Sequence, residues 1–299
     1  MKRNILLATS ACAVLIACAY GCMHWRSDID SIGASPRAEA ASMSPIPFDK
    51  NMDAADSHGT PSPTKVSNES LQKFLTTKAR AEAGSAVAQR ELAEMYGRCI
   101  PVNINPRRFL QSIDAITALS KSPANAEGMK RVARGTADEC ASVDNGAIIP
   151  LEAHDLWLQQ AAKQGDLAAQ AQVFMRAGKR PQGDELRKFM DQVVASNDPA
   201  AMFEMGQLVE GNPSGDGAGR YSSVAGDTLT GYAWSIVACQ RGLDCGAGSP
   251  IMNSVCLNTG GCSSPDFESF VRDYLVTAGD AALLNSKIQE VGSLLPNSN

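Results

Sequence analysis

Two stretches of the chain, AEAGSAVAQRELAEMY (81–96) and AKQGDLAAQAQVFMRA (162–177), align when Gly84 is set over Gly165, and no other feature constrains the fold as strongly. An alanine three residues before the glycine, another four after it and a glutamine five after it coincide. Self-similarity of this kind points to one supersecondary unit used more than once. Around the first glycine, apolar residues recur at spacings of 3 and 4: Leu71, Phe74 and Leu75 before it, then Val87, Leu92, Met95 and Tyr96. That period is helical, and the glycine marks the turn at which two helices fold back as an antiparallel hairpin. The matched alanines fall where the two helices cross closely, leaving the larger Leu, Met, Phe and Trp side chains to fill the space between hairpins.

A looser third copy, VASNDPAAMFEMGQLV (194–209), turns at Asn197-Asp198-Pro199, with Ala201 matching the second alanine and Pro199 suited to a first helical position. GYAWSIVACQRGLDC (231–245) offers only the first helix of a copy. Between the first two copies, 106–122 and 126–142 read as another helical pair around Pro123. The last elements are expected at about 227–241, 250–258, 264–277 and 280–293, and Ser67 or Asn68 is the expected cap of the first helix. Strand-like alternation is nearly absent. The expected fold is all-α, an antiparallel helix-hairpin array with repeat turns at Gly84, Gly165 and Asn197.

LWLQQAAKQGDLAAQAQVF (156–174) resembles the Sel1-like repeats, relatives of the tetratricopeptide family, at Trp157, Ala161, Ala162, Gly165, Ala169 and Gln170. Val173-Phe174 stands where that pattern has Leu-Gly, and no Tyr-x-x-Gly closes the copy. The distance from Gly84 to Gly165 is not a whole multiple of the family's repeat length. The resemblance implies an α/α superhelix used mainly to bind proteins.

The N-terminus sets the compartment. Lys2-Arg3 is followed by an uncharged apolar run from Ile5 to Ala17, the layout of a secretory signal. LIAC (15–18) looks like a bacterial lipobox, with Leu15 and Ala17 before Cys18, the residue that would receive the diacylglycerol anchor. AYGC (19–22), ending at Cys22, is a weaker version; an uncleaved signal anchor and an ordinary signal-peptidase cut are the alternatives. Pro36, Pro45, Pro47, Pro61 and Pro63 then recur among Ser, Ala and Asp without a lasting period, the composition of a disordered linker. The expected organisation is a signal peptide at 1–17, a lipid-anchored linker at 18–67 and a helical domain at 68–299. The expected location is periplasm-facing, on the outer membrane of a Gram-negative bacterium. No later run is long enough to span a membrane.

An oxidising compartment changes how the remaining cysteines are read. Of nine in the chain, six fall in the folded part: Cys99, Cys140, Cys239, Cys245, Cys256 and Cys262. An even number in an exported chain reads as three disulfides. Local geometry favours Cys99–Cys140 across the intervening helical pair, and Cys239–Cys245 and Cys256–Cys262 as closures of loops after helices. A crossed pairing such as Cys239–Cys256 would join ends on opposite sides of a hairpin, and a zinc site from the last four fits less well, because five residues separate the cysteines of each close pair where zinc knuckles space them about two to four apart.

Candidate chemistry is sparse. His154, beside Asp155, is the only histidine past the linker and is expected on the surface or at a helix cap. GNPSGDGAGR (211–220) lacks the Lys-Ser/Thr of a phosphate loop and follows no strand, and Asp184-Glu185 suits a helix start. No catalytic residue, metal site or cofactor is expected. A net charge of −5 without a basic cluster gives no support for nucleic-acid binding. The expected function is a non-catalytic scaffold or adaptor that binds another envelope protein. The alternative is an envelope enzyme or a binder of a small, peptidoglycan-related ligand, with a pocket near the 211–220 loop.

Overall fold

Ser67 accepts a hydrogen bond from the Ser70 amide (3.4 Å) and starts the first helix, α1 (Asn68–Glu82). The computed structural model describes residues 67–210 and 217–296; the expected signal peptide, the expected lipidation site Cys18 and the expected linker up to residue 66 lie outside the described residues. At Gly84 the backbone turns left-handed (φ +93°), Ser85 caps the next helix on the Ala88 amide, and α2 (Ala86–Ile104) runs back along α1. Gly165 has the same φ of +93°, joining α5 (Leu151–Lys163) to α6 (Leu167–Arg176), and Asp166 caps α6 on the Ala169 amide (2.8 Å). The aligned glutamines do the same work in both turns. Gln89 Nε2 donates to the Ala81 carbonyl (3.1 Å) and Gln170 Nε2 to the Ala162 carbonyl (3.2 Å), tying the end of one helix to the start of the next. At the third turn Asn197 takes the left-handed position (φ +51°) between α7 (Gly183–Ser196) and α8 (Pro199–Glu210), a conformation that asparagine tolerates better than most residues.

Between the first two hairpins lie α3 (Pro106–Ala118) and α4 (Pro123–Ser142). This pair is inserted in sequence only: α5 packs directly on α2, with Leu158 and Ala161 against Ala93. The sequence expectation placed Pro123 between two helices. It is instead the first residue of α4, capped by Ser122 (3.3 Å), since a proline's missing N–H is no loss in a helix's first turn.

The second half is built around α8 and α9 (Thr228–Gln240), which cross where Gly206 meets Gly231. A Cβ on Gly206 would come within 2.5 Å of the Gly231 carbonyl oxygen. Around this crossing Met202, Met205, Leu208, Trp234 and Ile236 are fully buried, and Trp234 Nε1 donates to the Val224 carbonyl (2.9 Å). α10 (Pro250–Thr259) follows, then α11 (Phe267–Phe270), which continues as a π-helical turn over Val271–Leu275, and α12 (Ala281–Leu294) on α9. The uninterrupted helix expected at 264–277 is thus shorter, because Asp266 caps it on the Ser269 amide (2.7 Å).

All six cysteines pair as local geometry favoured. Their Cα–Cα distances are 5.2 Å (Cys99–Cys140), 5.6 Å (Cys239–Cys245) and 4.3 Å (Cys256–Cys262). Among the described residues the fold is helical, the one strand-like feature being an isolated bridge between Gly246 and Asp266. No helix among them is long and apolar enough to cross a membrane.

Candidate functional site

α2 turns one face away from α1, and its residues at helical spacing (Arg90, Glu94, Gly97, Arg98, Pro101) form the floor of a groove of about 890 Å³. Phe109 and Ile113 of α3 extend the floor. Opposite stand Phe203, Glu204 and Gln207 of α8, with Phe267 behind them, and α10 closes the far side with Ile251, Ser254, Val255 and Asn258. The lining is mostly apolar, which is the usual character of a binding site with a few placed polar groups.

The polar groups form one network at the α2–α6–α8 junction. Arg90 is buried and its Nε donates to both oxygens of Asp166 (3.1 and 3.2 Å), while its Nη1 reaches Glu94 (2.8 Å). Burial works against the guanidinium charge, but Glu94 and Asp166 outweigh it and hold its pKa above the ordinary value. Gln172 Nε2 then bridges the carboxylates of Glu94 (3.2 Å) and Glu204 (3.0 Å). Burial pushes the Glu204 carboxyl up to about 7, the Glu94 and Asp166 charges adding to it while the Gln172 bond and Arg90 oppose it.

The wall formed by α10 is fixed at both ends. Before it, the Cys239–Cys245 loop is tied to the start of α11 through the Phe267 amide and the Cys245 carbonyl (3.0 Å). After it, the Cys256–Cys262 loop sits on α4, where Gly128 leaves room for Cys262: a Cβ there would lie 2.6 Å from the cysteine's own Cβ. Cys256, Met129, Ala133 and Ile113 make a small core under the groove.

Most residues singled out from sequence lie elsewhere. Gly84, Gly165 and Asn197 shape turns and do not line the groove. Neither do His154 and the described part of the 211–220 loop, residues 217–220, which pack near α7 instead. His154 is neither on the surface nor a cap. It is a buried residue of α5 whose ring packs over Gly97, where a Cβ would lie 3.1 Å from the imidazole. Its Nδ1 meets Asp155 Oδ1 (2.9 Å), and Arg176 Nη2 reaches the same oxygen (2.7 Å). Burial raises the Asp155 carboxyl, but these two partners outweigh it and lower its pKa.

The network residues Arg90, Glu94, Gln172 and Glu204 escaped sequence reasoning. Glu204 carried a signal: it is the one charge inside the apolar run PAAMFEMGQLV (199–209). No group of His, Cys, Asp and Glu among the described residues is arranged to hold a metal ion. Comparison with known protein families, with curated proteins and with solved structures finds no match to this chain.

Proposed function

We propose that the chain is a protein-binding scaffold without chemistry of its own, held at the bacterial envelope by a lipid on Cys18, and that the groove between α2, α8 and α10 receives a segment of its partner. The observation that carries this reading is the groove itself, which is open and mostly apolar, with half-buried aromatic side chains from three elements along it. A Sel1-like superhelical arrangement belongs to the same proposal and is supported by the matching Gly84 and Gly165 turns, with their common φ and equivalent glutamine bonds. A volume of about 890 Å³ also suits a small molecule, such as a peptidoglycan fragment.

Site-specific photocrosslinking in the native envelope tests the reading. Crosslinkers at Gln207 and Ser254, which line the groove, are expected to give a reproducible protein adduct. Crosslinkers at Glu185 and Lys188 on the outer side of α7 are expected to give none. Equal labelling at both pairs, or groove adducts made only of glycan fragments, would overturn it.

A further inference from the structure

The carboxylates at the groove floor outnumber the cations that reach them. Arg90 serves Asp166 and Glu94 together, and Arg98, the other cation on the floor, is bonded to Glu139 (3.3 Å). Glu204 has no ion pair among the described residues, and its one hydrogen bond is the Gln172 amide, which it shares with Glu94. The second oxygens of Glu94 and Glu204 accept nothing from the described residues, and both residues line the groove. A partly desolvated carboxylate without a counter-charge is unfavourable, and a cation that arrives with the occupant removes that cost. Resting on the reading of the groove as a protein-docking site, we propose that the docked segment carries a lysine or arginine whose cation is held between Glu94 and Glu204, with neighbouring apolar side chains of the segment on Phe109, Phe203 and Phe267.

Charge complementarity decides the occupant's chemistry. Two carboxylates on opposite sides of one amide match an ammonium or a guanidinium, each of which can donate to both. A bare metal ion would find only these oxygens and one amide, too few and too spread for a hard cation. An acidic or purely apolar segment would leave the carboxylates unmatched. A free small amine would leave the aromatic walls uncovered.

The test is selection of short random peptides on the purified full chain in detergent, followed by exchange of single residues. Groove binders are recognised as those whose binding is lost in Ser254→Trp, a substitution that places a bulky side chain on the groove wall. The expected result is that these binders carry one Lys or Arg flanked by apolar residues. Replacing that residue by norleucine or citrulline should weaken binding on the order of tenfold or more, a change that leaves the protein untouched. Glu204→Gln and Glu94→Gln should each produce a similar loss and should remove the preference for the basic residue. If groove binders lack a basic residue, or bind the Gln variants as tightly, the inference fails while the docking reading stands. If no peptide is blocked by Ser254→Trp, the docking reading fails and the inference falls with it.

Discussion

Glu204 shows what one side chain can report. Its carboxyl titrates near 7 when folded, against about 4.5 for an ordinary glutamate. The folded chain therefore keeps this proton across that interval while the unfolded chain gives it up. The stability it contributes is complete below the ordinary value and is lost as pH rises through 7. The groups facing it are Arg90 and Glu94 from α2, Asp166 at the head of α6 and Gln172 within α6. Thermal melts of the wild type and of Glu204→Gln, followed from pH 4.5 to 8, should diverge. The wild type should lose roughly 5–10 °C relative to the variant, which keeps the amide contact without the charge. Parallel curves would show that this carboxyl is solvated like any other. At this scale the sequence was readable where a residue obeys a backbone rule, as at Gly84, Asn197 and the cap Ser67. It was unreadable where a role needs partners distant in sequence, as for Arg90 and Asp166, because no local pattern says which helices will meet.

Helices make the next scale, and their contacts depend on what is missing at the crossing. At the α8–α9 crossing, Gly206→Ala would place a methyl 2.5 Å from a backbone oxygen and 2.7 Å from Ser235 Oγ. The carbonyl cannot rotate away, so the helices must part, and a loss of about 2 kcal/mol is expected in urea unfolding. Gly135→Ala at an exposed position of α4, with nothing within 4 Å, should stabilise by about 0.5–1 kcal/mol instead. Opposite signs for two identical substitutions would separate packing from propensity. The positions of most helices were legible from the period of 3 and 4 and from caps and prolines. The boundary between α3 and α4 and the start of α11 were not, because they depend on where Ser122 and Asp266 find amides to cap.

Over the whole molecule, three disulfides hold parts of very different reach. Cys99–Cys140 closes a span of 41 residues containing all of α3 and most of α4, whereas each of the other two spans 6. A chain-entropy argument gives about 4 kcal/mol for the long closure and about 2 kcal/mol for a short one. Replacing Cys99 and Cys140 by alanine should thus lower the urea midpoint more than replacing Cys256 and Cys262. The shorter pair should matter more for the groove, because its loop seats α10 against α4. Peptide affinity should fall in the Cys256/Cys262 double variant and hold in the Cys99/Cys140 variant under conditions where both remain folded. The all-helical class and the pairing were legible from period and parity. The groove was not, since it exists only where α2, α8 and α10 come together, and the spacing that reveals a helical pair at 106–142 does not say what it packs against.

The pairing has one more consequence, for how the molecule is made. Along the folded part each cysteine is joined to the next one in line: 99 to 140, 239 to 245, 256 to 262. A chain emerging N-terminus first offers them in that same order, so every thiol meets its proper mate before a later competitor is present. For these six cysteines, order of emergence favours the native pairs over every crossed one.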